Sequence, residues 1–284
     1  MLSIPEAIAY QKRAAATKVS ATKNPLAYLV QSMLAGSYIG VAVILMVSAA
    51  GPFLLVDSPA VKLIGGLVFG VALTLVLIAG GELVTSNMMT LTQGALGRTI
   101  SWGKWVSTLV FCFFGNVLGA FVFAGLIHFT GLLERDTAAG KMLISMLEGK
   151  GHESSVELFF RGILCNMLVC LAIWSAVRLK TEIARLTVIF WCLLAFITSG
   201  FEHVVANMTT FGIGLFGGFP ETNWLEFARN MTVVGFGNLV GGGLIVGLGY
   251  FIVSGNSLRK TPATPQLAVP FEQKIRHDVV YDKL

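Results

Sequence analysis

A polar pattern of seven residues, E-x-V-x-x-N-M, occurs twice inside strongly apolar sequence. The first copy runs from Glu82 to Met88, and the second runs from Glu202 to Met208, 120 residues later. A second pattern, F-G-N-x-x-G, is repeated at nearly the same offset, from Phe114 to Gly119 and from Phe236 to Gly241. The chain therefore consists of two copies of one half. Matched polar interruptions in two apolar halves are typical of a transport site within a membrane.

Composition independently indicates a membrane protein. Hydrophobic residues make up 55% of the chain, charged residues only 12%, and the mean hydropathy is +0.78, whereas soluble domains carry about 25% charged residues. Crossing a bilayer takes roughly 20 apolar residues. Six candidate spans follow, at about 26–55, 63–81, 106–133, 156–177, 186–199 and 233–253. The second and fifth continue past the polar pattern as half-segments, 88–96 and 208–217, which predicts that both helices are broken.

The distribution of Lys and Arg predicts the orientation, because cytoplasmic loops retain positive charge. With the N-terminus inside, fourteen of the twenty Lys and Arg residues fall in cytoplasmic segments, and both termini are cytoplasmic. Three spans per half is an odd number, so the halves, roughly 26–133 and 156–254, enter the membrane from opposite sides. The predicted fold is an all-α membrane protein with two inverted three-helix repeats whose broken segments meet near the midplane. The net charge of +5 needs no nucleic acid partner.

The two ends of the chain are predicted to lie in the cytoplasm. Residues 1–25 lack the apolar core of a signal peptide. Within this amphipathic segment, residues 4–18 are predicted to form a short helix with Ile4, Ile8 and Ala15 on one face, serving as an interfacial anchor or as a mobile gate. Residues 255–284 contain three prolines among polar residues and indicate an extended tail. All four cysteines fall in predicted spans, where they are packing residues; no metal site and no cofactor is predicted.

The chemistry centres on His203, which we place at membrane depth at the second break. An imidazole exchanges a proton readily near neutral pH, and so it is suited to a small anion that travels with a proton. The alternative is a neutral histidine in a packed interior. Thr85 lies in the other break, where its hydroxyl can bond His203 or an anion, or else its own backbone.

The remaining polar residues of the two breaks are interpreted mainly as scaffold. Asn87 and Asn207 are expected to satisfy backbone groups freed at the breaks, with Asn207 also on the substrate path. Glu82 and Glu202 are expected to be structural, because carboxylates lining the path would repel an anion. On periodicity alone the apolar residues nearby, Phe69, Leu73, Leu83 and Phe196, are simply core residues.

Four strings resemble the formate/nitrite transporter family: GGELVTSNM (80–88), GILCNMLVCLAIW (162–174), GFEHVVANMT (200–209) and FGNLVGGGL (236–244). The resemblance covers about residues 20 to 255. It implies an aquaporin-like protomer of six spans in the cell membrane, and a homopentamer with one pore in each protomer. It also implies passage of small monovalent anions such as formate, nitrite, acetate or hydrosulfide.

The resemblance also implies roles for individual residues. His203 matches the central histidine, and Thr85 matches the threonine of the broken-helix loop. Lys150, otherwise an exposed loop charge, matches a vestibule lysine that attracts anions, and Asn166 matches a polar partner near it. The hydrophobic constrictions match Phe69, Leu73, Leu83 and Phe196. Many members have Phe where this chain has Val84, which implies an inner constriction that is either wider or differently built. The string WCLLAFITSGFEH is most similar to the nitrite-channel branch.

The sequence thus predicts an anion channel or transporter, either proton-coupled or gated by pH through His203, and leaves the choice among formate, nitrite, hydrosulfide and other weak-acid anions open. A neutral-solute pore of the aquaporin type is the alternative from another class, although such pores use Asn-Pro-Ala breaks and neither break here contains Pro. A membrane enzyme or an ion-driven carrier is less favoured, since the sequence shows no nucleophile-base pair or carboxylate pocket.

Overall fold

Helices are the regular elements of the computed structural model, which describes residues 1–255. In chain order they are α1 (Ile4–Ala21), α2 (Pro25–Leu54), α3 (Val61–Phe69), α4 (Val71–Ile78), α5 (Val84–Leu96), α6 (Trp102–His128), α7 (Ala138–His152), α8 (Ser155–Arg178), α9 (Glu182–Thr198), α10 (Val204–Phe216) and α11 (Trp224–Leu239). A π-helical segment, Val240–Leu248, then joins α11 to α12 (Gly249–Val253).

Five helical stretches of the described chain are long and apolar enough to cross a membrane. They are Pro25–Leu54, Val61–Ile78, Trp102–His128, Ser155–Arg178 and Trp224–Val253. The sixth predicted span, 186–199, falls in α9, which has 17 residues and is not among the five. The described part of the chain, residues 1–255, is therefore all-helical with several membrane-length apolar helices. The predicted tail lies outside the described residues except for Gly255.

Most helices begin at a residue that the sequence marks as an N-cap. Ser3 with Glu6 and Ser154 with Glu157 form reciprocal capping boxes at the starts of α1 and α8. Single polar side chains cap five further helices: Asn24, Ser101, Thr137, Thr181 and Asn223. These caps satisfy backbone N–H groups that have no partner inside the helix.

The repeated F-G-N-x-x-G pattern packs long helices together. A Cβ atom at Gly119 would overlap the carbonyl of Met33, and one at Gly241 would overlap the carbonyl of Ile163. These two glycines, the last residues of the two copies, therefore let α6 approach α2 and let the start of the π-helical segment approach α8. Close backbone approach through small residues is how membrane helices gain contact area.

Each copy of E-x-V-x-x-N-M begins in a short non-helical gap, the first between Ile78 and Val84 and the second between Thr198 and Val204. Each gap holds a glycine with positive φ, +82° at Gly80 and +73° at Gly200, a region that glycine adopts without strain. The half-segments were predicted to begin at residues 88 and 208, but α5 and α10 begin four residues earlier. Only the first two residues of each E-x-V-x-x-N-M copy lie outside a helix.

Two other segments differ from the sequence expectation. Residues 138–152, taken as loop, form α7, and Lys150 in its last turn is only 8% exposed. The second span is split at Gly70 into α3 and α4. At the N-terminus, α1 is present, with Ile8 and Ala15 buried and Gln11 accepting a hydrogen bond from Thr90 of α5 at 2.9 Å.

We predict that Gly119→Ala lowers the melting temperature of the purified protein, because the added methyl group forces α6 away from α2 at a cost of about 1–3 kcal/mol. Gly249→Ala is the matched control, since a Cβ there meets open space. It should leave the melting temperature unchanged or slightly higher, in keeping with the helix propensity of alanine. Equal melting temperatures for the two variants would contradict the packing role of Gly119.

A second prediction concerns the loops that precede α7 and α11. Arg135 donates to both carboxylate oxygens of Glu221, at 2.8 and 2.6 Å, and this hydrogen bonding lowers the pKa of Glu221 to about 2. The pKa of Glu221 in the folded protein lies below its ordinary value of 4.5. The Arg135–Glu221 pair therefore stabilises the fold fully at pH values above 4.5, and this stabilisation is lost as the pH falls towards 2. Glu221→Gln should therefore lower the melting temperature near neutral pH and converge with the wild type in acid. A constant difference across that range would refute this assignment.

Candidate functional site

The N-termini of α5 and α10 meet inside the molecule. Thr85 lies in the first turn of α5, His203 is the N-cap of α10, and Thr85 Oγ1 is 3.0 Å from His203 Nε2. Thr85 is fully buried and His203 is 4% exposed. A helix N-terminus carries a partial charge of roughly +0.5. Two of them facing one point create a region that favours a negative charge.

The hydrogen bonds of His203 define its neutral tautomer. The backbone N–H of Ala206 donates to His203 Nδ1 at 3.2 Å, so Nδ1 carries no hydrogen. The ring hydrogen of the neutral form then lies on Nε2 and is donated to the Thr85 hydroxyl. The hydrogen of that hydroxyl is left to bind an acceptor. Phe196 stacks on the imidazole, with ring centroids 6.0 Å apart and an interplanar angle of 27°.

The side chain of Asn116 on α6 hydrogen-bonds the backbone at the first break. Its Oδ1 accepts the backbone N–H of Val84 at 2.9 Å. Its Nδ2 donates to the backbone carbonyls of Glu82 at 2.8 Å and Ser32 at 2.7 Å. One buried amide thus supplies partners for backbone groups that the broken helix leaves unpaired.

Asn238 on α11 repeats this arrangement at the second break. Its Oδ1 accepts the N–H of Val204 at 2.9 Å, and its Nδ2 donates to the carbonyls of Glu202 at 2.9 Å and Gly162 at 2.8 Å. Sequence reasoning found the repeated F-G-N-x-x-G pattern but gave its asparagines no role. The signal was present, because the asparagine lies at the same position in both copies.

Asn87 and Asn207 have a different role from the predicted one. Asn87 Nδ2 donates to Glu82 Oε2 at 3.1 Å, and Asn207 Nδ2 donates to Glu202 Oε2 at 2.6 Å. Their amides therefore hold carboxylates, and the task of satisfying the freed backbone belongs to Asn116 and Asn238. Asn87 is fully buried and Asn207 is 2% exposed.

Each glutamate of the two breaks forms an ion pair with a lysine. Lys18 Nζ lies 2.9 Å from Glu82 Oε2, and Lys150 Nζ lies 2.7 Å from both carboxylate oxygens of Glu202. Lys18 is in the last turn of α1 and Lys150 in the last turn of α7. We call the corresponding ends of the molecule the Lys18 side and the Lys150 side. A carboxylate paired with a lysine repels an anion far less than an unpaired carboxylate. Glu82 and Glu202 are therefore compatible with a nearby anion, although unpaired carboxylates were expected to repel one.

Lys18 was not recognised from the sequence as a site residue; it was counted only among the positive charges near the N-terminus. Asn166, expected near Lys150, has different partners. Its Nδ2 donates to the carbonyl of Thr85 at 3.2 Å and to that of Asn238 at 2.7 Å. It therefore joins the first turn of α5 to α11 beside the Thr85–His203 contact.

The four apolar residues that the resemblance implies as constrictions are each 1% exposed. Phe69 and Phe196 meet edge to face, with centroids 5.7 Å apart, directly beside His203. Leu83 is the residue before α5, and Leu73 lies in α4. On the side of Phe69 and Phe196, His203 is therefore surrounded by apolar side chains that are closed to solvent.

A cavity of about 410 Å³ opens on the Lys18 side. Its polar walls include Ser86 and Thr90 from the first turns of α5, together with Lys18. Arginine and lysine side chains from α1 and from the end of α8 also contribute: Arg13, Arg178 and Lys180. Arg185 adds a further cation and Glu6 and Glu182 are the carboxylates of the lining, so cations outnumber carboxylates in this chamber. Within residues 1–255, no group of three or more His, Cys, Asp or Glu side chains is arranged to hold a metal ion.

Membrane-length helices, two facing half-helix N-termini and a lysine–glutamate pair beside each break define a membrane channel or transporter. The sequence profile of the family described as "Formate/nitrite transporter" matches residues 6–252. The chain belongs to the formate/nitrite transporter family, and the resemblance noted in the sequence is confirmed.

Individual relatives agree with this assignment. The chain is 41% identical to the nitrite transporter NirC of Salmonella typhimurium over 244 residues, covering 84% of this chain and 88% of that protein. It is 31% identical to the formate channel FocA of Escherichia coli K12 over 254 residues, covering 82% and 88%. The higher identity to the nitrite transporter confirms the similarity to the nitrite branch.

Two solved structures share the fold. One, described as an FNT family ion channel, superposes with a TM-score of 0.82 at 39% identity, covering 87% of this chain and 98% of its own. The other, a pentameric formate channel with formate bound, gives a TM-score of 0.73 at 30% identity and covers 82% and 98%.

We predict that Lys150 and Glu202 are energetically coupled. Lys150→Met and Glu202→Gln each leave one buried charge or polar partner unsatisfied, so each should lower stability by about 3 kcal/mol. The double variant should lose clearly less than the sum, because it leaves no unpaired charge. Thermal unfolding of the four proteins in detergent measures this difference. The same cycle on Lys18 and Glu82, whose side chains are 16% and 14% exposed, should give a smaller coupling, and strictly additive losses at Lys150 and Glu202 would refute the prediction.

Proposed function

We propose that the protein is a channel or transporter that moves small monovalent anions, nitrite or formate, together with a proton across the cell membrane. The observation that carries this proposal is the buried Thr85–His203 contact at the junction of two helix N-termini. The relatives are a nitrite transporter and a formate channel, which supports this function over a neutral-solute pore or an enzyme. Hydrosulfide and other weak-acid anions remain candidates on the same chemistry.

Electrostatics explain how an anion reaches the centre. A bare anion between Phe69 and Phe196 loses its hydration, which costs several kcal/mol. The positive ends of α5 and α10 and the hydroxyl of Thr85 offset part of that cost. The Lys18–Glu82 and Lys150–Glu202 pairs lie beside the two breaks, where each lysine attracts an anion while its glutamate limits how tightly that anion is held.

His203 supplies the proton in this mechanism. A proton taken up at Nδ1 displaces the hydrogen bond from Ala206 and converts the ring to imidazolium. The Nε2–H then faces the anion through the Thr85 hydroxyl, and transfer of one proton yields the neutral acid and a neutral ring. The neutral acid crosses the apolar constriction at a much lower cost than the anion. Phe196, stacked on the imidazole, keeps water away from this exchange.

We also propose the inverted-repeat, aquaporin-like architecture with six spans and broken second and fifth spans. The equivalent bonds of Asn116 and Asn238 at the two breaks support it. Because Lys18 and Lys150 make equivalent pairs, the halves extend beyond 26–133 and 156–254 to include α1 and α7. A channel domain of residues 26–254 flanked by cytoplasmic ends fits the distribution of Lys and Arg. The pentameric formate channel of the same fold supports a homopentamer with one pore in each protomer.

The proton-coupled function predicts that proteoliposomes acidify internally when a formate or nitrite gradient is imposed from an external pH of about 6, because each anion then enters with a proton that a histidine can pass on. His203→Asn should abolish this acidification, because asparagine cannot take up a proton at this position. His128→Asn, at the exposed end of α6, is the matched control and should acidify as fast as the wild type. A pH-sensitive dye inside the vesicles records all three.

Two results would overturn parts of the proposal. Unchanged acidification in His203→Asn would remove His203 from proton exchange. A flat dye signal with the wild type for both anions, together with anion uptake by a chemical assay, would leave an anion channel without proton coupling. The faster of the two anions identifies the preferred substrate.

A further inference from the structure

Arg229 on α11 holds the C-terminal end of α7. Its Nη2 donates to the carbonyl of Lys150 at 3.0 Å and to that of Gly151 at 3.3 Å, and its Nη1 donates to the carbonyl of Glu153 at 3.0 Å. The last carbonyls of a helix have no partner within the helix, and a cation there is favourable. One guanidinium therefore fixes the backbone from which the Lys150 side chain extends.

The same short stretch of α11 holds both members of the Lys150–Glu202 pair. Arg229 is itself oriented by Glu226, which accepts from its Nε at 2.9 Å. The next residue, Asn230, is buried, and its Oδ1 accepts from Asn207 Nδ2 at 2.8 Å. Asn207 in turn donates to Glu202. Two consecutive residues of α11 therefore act on the ion pair: Arg229 binds the backbone of Lys150, and Asn230 binds the side chain of Asn207, which holds Glu202.

The Lys18 side is built differently. An offset of 122 residues, which relates Asn116 to Asn238, places Ser107 at the position equivalent to Arg229. The Ser107 hydroxyl donates to the carbonyl of Lys104 in its own helix, at 3.3 Å. A serine cannot span three carbonyls of another helix as a guanidinium does. The three hydrogen bonds from Arg229 to the end of α7 therefore have no equivalent at Ser107 in the first half.

We propose that Arg229 is a positioning residue that fixes Lys150 over Glu202. Its effect on transport rests on the proposed function and is exerted through Lys150: a lysine held in one place presents its charge at a constant distance from the second break. Arg229 makes no contact with Thr85 or His203 and takes no part in proton exchange. Removing its guanidinium frees the end of α7 and loosens the ion pair.

The first test measures the position of Lys150 without any transport. Purified wild-type protein and Arg229→Gln are treated with an amine-acylating reagent, and modification of Lys150 is compared by mass spectrometry with that of Lys141, an exposed lysine on the same helix. Loss of the helix-end cation should raise the ratio about fivefold. Arg135→Gln is the control and should leave it unchanged. An unchanged ratio in Arg229→Gln, or an equal rise in both variants, would overturn the proposal.

The second test asks whether Arg229 acts through Lys150. Arg229→Gln should slow nitrite or formate flux about fivefold in the native background but less than twofold in a Lys150→Met background, with flux normalised to folded protein. Arg229→Lys should lie between, since an ammonium group replaces the planar fork with a single point charge. Equal losses in both backgrounds would show a general structural role instead. If the wild type moves neither anion, the proposed function fails, while the acylation ratio still decides the positioning of Lys150.

Discussion

The backbone at the two breaks imposes the constraint on which the rest of the structure depends. Within a membrane every N–H and C=O group needs a partner inside the protein, so a helix can be interrupted only where side chains replace the lost bonds. Asn116 and Asn238 each replace two of them at the corresponding break and also bind one carbonyl of a neighbouring helix. Glycines at the breaks supply the positive φ. Once these conditions are met, two half-helices can direct their N-termini at one interior point, and the Thr85–His203 contact follows from their meeting.

In the proposed function, the charges near these breaks neither trap nor exclude an anion. A lone lysine would bind the anion tightly, and a lone glutamate would repel it. The pairing of Lys18 with Glu82 and of Lys150 with Glu202 reduces both effects, while Asn87 and Asn207 hold the carboxylates in place. Transport requires this balance, since binding must be favourable enough for the anion to enter and weak enough for it to leave.

Much of this site could be predicted from the sequence because it is duplicated locally. Short motifs repeat with their spacing, so the copies of E-x-V-x-x-N-M indicated two breaks and placed Thr85 near His203. The ion pairs were beyond such reasoning, because Lys18 and Glu82 are 64 residues apart and only the tertiary fold brings them together. Helix α7 was mistaken for loop because it is too polar and too short to resemble a span. The bonds of Asn166 to the carbonyls of Thr85 and Asn238 were not foreseen, since a buried amide gives no sequence signal of which carbonyls it will meet.

The two breaks differ at one decisive position. His203 caps α10 through Nδ1, whereas its equivalent in the first half is Leu83, which makes no side-chain cap, and α5 nevertheless begins at the next residue. Asn116 supports that helix start without a capping side chain, and Asn238 supports the second in the same way. The bond between Ala206 and His203 is therefore not required to keep the break formed. In the proposed mechanism the imidazole gives up this bond when it takes a proton, and the break stays formed because Asn238 still supports the start of α10.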